Sequence, residues 1–247
     1  MKRVSEPVVN IYKETTGGLM RQALLGEPVR VLEIANMKAF GRAENTGYVG
    51  LFAPSLATWV EPTHVVRSRA TFLFEAPDIK SPDPVAISCG SHLTVEGQEG
   101  RLVRTDDGKY VISDHLRPVN EPEQDPVAVA ERFLGTPYLW GGNSAFGIDC
   151  SGLVQAGCLA CGIPCPGDSD MQAAELGEPL DGEDPLRRGD LLFWKGHVAW
   201  VADADTILHA NAHHMAVAFE PMQAAIARIE TQGDGPVIAR KRLGGLT

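Results

Sequence analysis

The sequence predicts an α+β protein in which two small all-β barrels precede a domain of mixed helices and strands. Short apolar runs, broken by Gly, Pro, Asn and Asp, extend from about residue 21 to residue 119. A polar, proline-rich segment follows at residues 117–126, and beyond it apolar residues recur at helical spacing as well as in alternation. We therefore expect a poorly structured lead-in over 1–20, barrels over 21–66 and 67–120, and the mixed domain over 121–247.

A weak internal repeat supports the two barrels. In each copy a turn glycine (Gly26, then Gly90) precedes a strand with two inward apolar residues, and an aromatic strand at Tyr48 or Tyr110 closes the unit. A β-sandwich of the same length is the alternative. The two tyrosines are candidates for lining a cleft, although packing within their own barrels is the simpler interpretation.

Length and charge exclude some classes of function. The chain has 247 residues and a formal net charge of -10, from 32 acidic and 22 basic residues. This balance argues against non-specific nucleic-acid binding, because that requires Lys and Arg to neutralise phosphates. No apolar stretch of about 18 residues is present, so no transmembrane helix and no membrane partner is expected. Residues 1–18 lack the apolar run of a secretory signal, which leads us to expect a cytoplasmic location. The oligomeric state stays open.

Five cysteines are present, an odd number, and in a reducing compartment we expect free thiols. The run Cys158-Leu-Ala-Cys161-Gly-Ile-Pro-Cys165 has the two-residue spacing of zinc sites. However, no second ligand pair with matching spacing follows, and the group ends an apolar helix, where Cys behaves as a small hydrophobe. Core packing is therefore the favoured interpretation, and no metal or other cofactor is expected.

The segment from Gly147 begins with turn-forming residues and continues with a helix pattern immediately after Asp149. Asp149 is a plausible N-cap, and Gly162 followed by Pro164 is a typical stop. Cys150 then lies in the first turn, where unpaired amides and the helix dipole favour negative charge. Both stabilise a thiolate, the nucleophilic form of cysteine, and the same amides can stabilise an oxyanion.

A nucleophilic thiolate needs a base, and two histidines are candidates. The run from His197 alternates as a strand, residues 202–206 resemble a turn, and His209 lies on the next predicted strand. With a turn centred near Asp203, the two histidines face each other across an antiparallel pair, so that one orients the other. A one-residue register slip weakens this inference. His213 and His214 are expected to form a surface or loop pair.

These residues resemble the NlpC family of papain-like bacterial cell-wall peptidases, over roughly residues 126–240. The similarity lies in five motifs: Tyr138-Leu-Trp-Gly-Gly142, Asp149-Cys-Ser-Gly-Leu-Val154, Arg188-Gly-Asp-Leu-Leu-Phe193, Gly196-His-Val198 and Leu208-His-Ala210. The resemblance implies Cys150 as nucleophile, His197 as base and His209 as the polar residue that orients it. It also implies that Tyr138 lies beside the nucleophile, where its hydroxyl assists the oxyanion.

Tandem bacterial SH3-like domains ahead of such a domain are similar to the subgroup that cleaves γ-D-glutamyl–diamino acid bonds in murein peptides with a free N-terminal L-Ala. By this resemblance Asp149, Ser151, Asp168 and Ser169 bind the terminal ammonium, which needs a carboxylate and hydroxyl acceptors when buried. For Asp149, helix capping alone is the alternative, and the two roles are compatible. Gly167 stands where the family often has arginine, which leaves the peptide specificity open.

Three further functions compete with cytoplasmic recycling of murein peptides. The first is an endopeptidase that acts on intact peptidoglycan, with the SH3-like domains as wall anchors. The second is a non-catalytic binding module of the same fold, against which the complete set of Cys150, His197 and His209 argues. The third is a metal-dependent hydrolase, which full activity in the presence of a chelator excludes.

Overall fold

The structure is a computed structural model that describes residues 1–14, 17–35, 38–52, 55–182 and 184–244. The chain forms two compact units. One comprises Met1–Glu121 together with Asn143–Phe146, and the other comprises Pro122–Gly142 together with Gly147–Thr247. Among the described residues, no helix has the length and apolar character needed to cross a lipid bilayer.

The first part of the N-terminal unit is a seven-stranded antiparallel sheet. Its strands are β1 Lys2–Val4, β2 Val8–Tyr12, β3 Leu19–Leu24, β4 Pro28–Ala35, β5 Lys38–Ala43, β6 Val49–Phe52 and β7 Leu56–Thr58, in the spatial order β3-β2-β6-β5-β4-β1-β7. Residues 1–20 are therefore not a poorly structured lead-in. Val4, Val9 and Ile11 are buried in the core of this sheet, and the two-residue spacing of Val9 and Ile11 along β2 places both on its inner face. Tyr48 is buried in the same core.

The second part of the N-terminal unit has its own core and three small antiparallel sheets. Its strands are β8 His64–Val66, β9 Ala70–Leu73, β10 Val85–Ser88, β11 His92–Leu93, β12 Val95–Glu99, β13 Leu102–Thr105, β14 Tyr110–Ile112 and β15 Leu116–Pro118, with a 3-10 turn at Ser113–His115. Since β8 pairs with β11 and β15, residues 64–66 belong to this second part and not to the first, as the sequence prediction had placed them. The half-buried Tyr110 lies on β14.

The two β parts pack into one compact unit through specific contacts. Arg3 and Asp106 form an ion pair with Nη2–Oδ2 at 2.6 Å. The His92 N–H donates to the Leu25 carbonyl oxygen at 2.8 Å, and the Leu25 side chain packs against the second core. Separate apolar cores in a shared unit agree with two small barrel-like modules.

The C-terminal unit combines helices with a six-stranded antiparallel sheet. Its elements and the adjoining β16 are α1 Pro126–Glu131, β16 Asn143–Ser144, β17 Gly147–Ile148, α2 Cys150–Ala160, α3 Ser169–Glu175, β18 Glu178–Pro179, β19 Asp190–Trp194, β20 His197–Val201, β21 Thr206–Asn211, β22 Ala216–Pro221, α4 Met222–Ile229, a π-type turn at Glu230–Asp234 and β23 Ala239–Arg242. The order of the sheet is β18-β23-β19-β20-β21-β22. The α+β class predicted from the sequence is confirmed.

Helix starts in this unit follow the sequence signals. Asp125 caps α1 by accepting from the Val127 and Ala128 N–H groups, and Pro126 is the first helical residue. Asp149 caps α2, which ends before Gly162 at φ 74°.

Close packing of α2 depends on Gly157. A Cβ at this position would lie 2.7 Å from the Pro126 carbonyl oxygen and 3.2 Å from Trp200 Cζ2. Only glycine therefore allows α1, α2 and β20 to approach this closely. Trp200 itself is fully buried, so this contact fixes the nucleophile helix against the sheet.

Candidate active site

Cys150 is the first residue of α2 and is held there by the cap that precedes it. Asp149 Oδ1 accepts from the Gly152 N–H at 2.7 Å and from Ser151 Oγ at 3.2 Å. Its Oδ2 accepts from the Gly141 N–H at 2.9 Å. The Asp149 carboxylate thus links the turn at Gly141 and Gly142, called the glycine turn below, to the start of α2. Cys150 is 7% exposed at the positive end of the helix dipole, where a negative charge on sulfur is stabilised.

The glycine turn also fixes Tyr138. Tyr138 forms a parallel bridge to Ile148, and its N–H donates to the Met215 carbonyl oxygen at 2.9 Å. The turn must fold tightly, because a Cβ on Gly142 would lie 2.5 Å from the Gly147 carbonyl oxygen. The structure therefore places the half-buried Tyr138 beside the residue that precedes Asp149 and Cys150.

The two histidines on β20 and β21 are in direct contact. His197 Nε2 lies 2.9 Å from His209 Nδ1, and the ring centroids are 5.1 Å apart at an interplanar angle of 60°. The expected register was wrong in one respect. Trp200 pairs with Leu208, so that the next position in the same register places His209 opposite Ala199. His197 is two residues away from Ala199 on β20. The histidines are diagonal neighbours and not directly opposite, but a shift of two residues keeps them on the same face.

Sequence reasoning missed two residues that extend this contact. His209 Nε2 lies 3.1 Å from Oε2 of Glu220 on β22. Arg228 on α4 donates from Nε to Glu220 Oε1 at 2.9 Å and from Nη2 to Oε2 at 2.7 Å. In the sequence Glu220 is one acidic residue among many, and only the register of β21 and β22 assigns it to His209.

Burial decides the charge of these groups. Removal from water, with smaller contributions from the neighbouring His209 and Arg228, lowers the pKa of His197 to about 3. Burial also lowers the pKa of His209 to about 4, although Glu220 opposes this shift. The Arg228 hydrogen bonds hold the pKa of Glu220 below its usual value. Both imidazoles are therefore neutral at pH 7, so His197 can accept a proton, and Glu220 is a carboxylate.

Two buried glutamines hold the segment that carries Asp168 and Ser169. Gln172 Nε2 donates to the Ser151 and Pro166 carbonyl oxygens, both at 2.9 Å. Gln155 Nε2 donates to the Cys165 carbonyl oxygen at 2.9 Å. The segment before Asp168 is thereby fixed against the start of α2. Asp168 is exposed and Ser169 half-buried, directly at the start of α3.

The remaining cysteines are free thiols in packed surroundings. Cys89, Cys158 and Cys165 are buried and Cys161 is half-buried. A hydrogen bond with Cys165, together with burial, raises the pKa of Cys158 well above its usual value, so this thiol stays protonated at neutral pH.

The other histidine pair lies where the sequence indicated. His213 and His214 are exposed in the turn between β21 and β22. His214 Nδ1 contacts Asn211 Oδ1 at 3.0 Å.

Comparison with known proteins identifies both parts of the chain. Residues 135–232 match the NlpC/P60 family, and residues 11–51 match the bacterial dipeptidyl-peptidase SH3 domain. The chain is 28% identical over 233 residues to a dipeptidyl-peptidase 6 of Lysinibacillus sphaericus, covering 83% of this chain and 85% of that protein.

A second relative and a solved structure agree with this result. A gamma-D-glutamyl-L-lysine dipeptidyl-peptidase of Bacillus cereus (strain ATCC 10987 / NRS 248) is 28% identical over 191 residues. The matched region covers 74% of this chain and 55% of that protein, so this chain spans about half the length of that relative. The crystal structure of an NlpC/P60 family protein from Bacillus cereus ATCC 10987 superposes with a TM-score of 0.79 over 100% of this chain and 99% of that one, at 21% identity, and thus has the same fold. The chain therefore carries an NlpC/P60 domain over residues 135–232, preceded by a bacterial dipeptidyl-peptidase SH3 domain over residues 11–51, and is a cysteine peptidase.

Proposed function

We propose that this protein hydrolyses the γ-D-glutamyl–diamino acid bond of murein peptides that carry a free N-terminal L-Ala. The observation that carries the proposal is a capped helix-start cysteine on α2, a helix that contacts the two strands on which His197 and His209 lie 2.9 Å apart. The substrate class is supported by the relative named gamma-D-glutamyl-L-lysine dipeptidyl-peptidase. A dipeptidyl-peptidase releases a dipeptide from an N-terminus, which agrees with recognition of a free amine.

In the proposed mechanism, Cys150 Sγ attacks the carbonyl carbon of the γ-amide and His197 takes the thiol proton. The amides at the start of α2 and the Tyr138 hydroxyl stabilise the oxyanion. His197 then gives the proton to the departing amine of the diamino acid, which leaves a thioester on Cys150. His197 then deprotonates a water molecule, which attacks the thioester carbonyl carbon. The C–S bond breaks, L-Ala-γ-D-Glu is released, and Cys150 Sγ takes the proton back from His197.

Recognition of the free amine is assigned to the acidic and hydroxyl groups beside the nucleophile. Asp149 and Ser151 are 6% and 5% exposed, so an ammonium placed against them loses most of its water. Such a charge requires a carboxylate partner and hydroxyl acceptors. Asp168 and Ser169 complete this set in the proposal. Gly167 supplies no cation for a substrate carboxylate.

The test compares L-Ala-γ-D-Glu-diaminopimelate and its L-Lys counterpart with the same peptides N-acetylated. The free peptides should be cleaved between D-Glu and the diamino acid, and acetylation should lower kcat/KM at least about 100-fold, the loss of about 3 kcal/mol of charge-assisted binding. Equal cleavage of both forms removes the free-amine assignment. Cleavage of neither removes the substrate assignment.

A cytoplasmic role in peptide recycling is part of the proposal. The five cysteines are free thiols, as in proteins of reducing compartments. Cell fractionation with an antibody against the full chain tests this. Recovery of the protein in the wall fraction contradicts it.

A second candidate is an endopeptidase for intact peptidoglycan, and the SH3 domain match is the observation that favours it. Incubation of the full chain with purified sacculi separates the candidates. Release of new amino groups at a rate comparable with that for the free tripeptide supports the second candidate, and cleavage of the tripeptide alone supports the first.

The thiolate state of Cys150 is tested by alkylation. Iodoacetamide at neutral pH should modify Cys150 at least about 10-fold faster than the other four thiols, because the helix start favours its thiolate. Uniform labelling of all five cysteines contradicts a thiolate nucleophile.

A further inference from the structure

Three polar side chains form a diagonal line across three adjacent strands. His197 lies on β20, His209 on β21 and Glu220 on β22. On β22, Glu220 pairs with Ile207 and is therefore two residues from Ala218, the residue opposite His209. On β20, His197 is likewise two residues from Ala199, which the register places opposite His209. Residues offset by two share a face, so each side chain reaches the next one diagonally.

Each ring nitrogen of His209 has one partner. The residue is 0% exposed, and its Nδ1 lies 2.9 Å from His197 Nε2 while its Nε2 lies 3.1 Å from Glu220 Oε2. A neutral imidazole has one N–H and one ring-nitrogen lone pair. His209 must therefore donate a hydrogen bond in one of these two contacts and accept one in the other.

Arg228 decides which contact is donated. Its Nε and Nη2 groups donate to both oxygens of Glu220 at 2.9 Å and 2.7 Å. This paired contact keeps Glu220 ionised and holds its pKa below the usual value. An ionised carboxylate only accepts hydrogen bonds. His209 must therefore carry its proton on Nε2 and present a lone pair at Nδ1.

The tautomer of His197 follows from that of His209. A lone pair on His209 Nδ1 requires a donor, and the atom facing it is His197 Nε2. In neutral His197 the proton is then on Nε2, and the lone pair is on Nδ1, the nitrogen directed away from His209.

We propose that Glu220, held by Arg228, is a positioning residue that fixes the tautomers of both histidines and leaves Nδ1 of His197 as the base for the Cys150 thiol. The inference rests on the proposed roles of Cys150 and His197. Once His197 is protonated, its Nε2–H still donates to His209, whose Nε2–H still donates to Glu220. The carboxylate stabilises the imidazolium through this chain without itself taking a proton.

The first test reads the tautomers directly, without activity. In the full-length Cys150→Ala variant with 15N-labelled histidine at pH 7.5, the ring nitrogens of His197 and His209 are assigned with His197→Gln and His209→Gln. Both residues should show a protonated Nε2 and an unprotonated Nδ1. A protonated Nδ1 on His197 overturns the proposal.

The second test replaces the carboxylate by an amide. In Glu220→Gln one oxygen remains for two Arg228 N–H groups, and the amide nitrogen can turn to His209 and donate to Nε2. The chain of hydrogen bonds then reverses and puts a proton on His197 Nδ1. We expect a new Nδ1–H signal for His197 and a fall in kcat of about 10- to 100-fold with KM changed less than about 3-fold, as for other residues that orient a reacting group. Unchanged tautomers or unchanged kcat contradict the proposal.

Asp190→Asn is the matched control. Asp190 is buried and accepts from Arg242 Nε at 2.8 Å and Nη2 at 2.7 Å, the same carboxylate–guanidinium contact in the same sheet. No histidine is among its hydrogen-bond partners in the described part of the chain. Its kcat should stay within about 2-fold of wild type at equal folded fraction. An equal fall in both variants assigns the effect to lost stability and overturns the positioning role.

The outcomes separate this inference from the proposed function. Full turnover by Cys150→Ala removes the mechanism, whatever the tautomers are. If the wild-type protein turns over the peptide and Cys150→Ala does not, but His197 is protonated on Nδ1, only the role of Glu220 is removed.

Discussion

The side-chain amide of Gln172 on α3 donates to the Ser151 carbonyl oxygen in the first turn of α2 and to the Pro166 carbonyl oxygen before α3, both at 2.9 Å. Gln172 is fully buried, so both bonds are shielded from water. One side chain therefore sets the distance between the nucleophile helix and the segment that leads to Asp168 and Ser169.

Gln172→Leu should remove this connection. We expect a loss of about 1–3 kcal/mol in the free energy of unfolding, because buried acceptors lose their partner. KM for L-Ala-γ-D-Glu-diaminopimelate should rise more than kcat falls, since Asp168 and Ser169 lose their fixed position. Urea denaturation and steady-state kinetics measure the two effects. A variant with the stability loss and an unchanged KM shows that this segment does not contribute to substrate binding.

Substitutions of the three candidate catalytic residues should have graded effects. Cys150→Ala should abolish turnover and leave the fold intact. His197→Ala should lower kcat by about 10²- to 10⁴-fold, the usual contribution of a general acid–base. His209→Ala should retain more activity, because an orienting residue contributes less than the group it orients. Circular dichroism and steady-state kinetics check these expectations. Wild-type turnover by Cys150→Ala contradicts the mechanism.

Asp149→Asn separates helix capping from ammonium binding. Asn caps a helix about as well as Asp, but its single oxygen cannot serve both Gly141 and Gly152, so a cost of about 1–3 kcal/mol is expected. Loss of the negative charge should also raise KM for the free-amine peptide at least about 10-fold and leave KM for the N-acetylated peptide unchanged.

Asp125→Asn is the control for this prediction, because Asp125 caps α1 through the Val127 and Ala128 N–H groups. Its KM should equal that of wild type. Equal KM changes in both variants assign the effect of Asp149 to capping alone.

Acid should destabilise the C-terminal unit. The pKa of His197 falls to about 3 and that of His209 to about 4 in the folded state, against 6.5 for an ordinary histidine. Between the folded-state pKa values and 6.5 the unfolded chain binds more protons than the folded chain, so stability that is present above pH 6.5 is lost as the pH falls toward 4. The slope is about 1.4 kcal/mol per pH unit for each histidine. Urea denaturation followed by the fluorescence of the buried Trp194 and Trp200 measures it.

The N-terminal unit provides an internal comparison. Burial lowers the pKa of His92 to about 4, which gives the same sign, but burial raises the pKa of Glu27 to about 7. A raised carboxyl pKa contributes stability that is lost as the pH rises from 4.5 to 7. These opposite signs should leave this unit less sensitive to acid, as measured by hydrogen exchange corrected for intrinsic rates. Greater acid sensitivity of the N-terminal unit contradicts the assignment.

Much of the site follows from local rules that can be read in the sequence. Asp149 precedes a helical pattern, and a short acidic side chain there caps the helix and places Cys150 at its first position. Gly162 followed by Pro164 marks the end of that helix, and the alternating run from His197 marks a strand. Each of these signals involves residues within a few positions of each other.

Residues 1–20 show the limit of such rules. The sequence analysis predicts a poorly structured lead-in there, yet Val4, Val9 and Ile11 are core residues. A three-residue strand such as β1 has little signal of its own and is stabilised by β4 and β7, its partners at residues 28–29 and 56–58.

The sequence by itself determined where the nucleophile helix begins, which histidines lie on neighbouring strands and which family the chain resembles. Only the tertiary structure decided the diagonal contact between those histidines, the link from His209 to Glu220 and Arg228, and the hold of Gln172 on Ser151. The physical reason is that these are hydrogen bonds between separate elements. Their partners are set by strand register and by the packing of helices against the sheet, which depend on the whole core and not on the neighbouring residues.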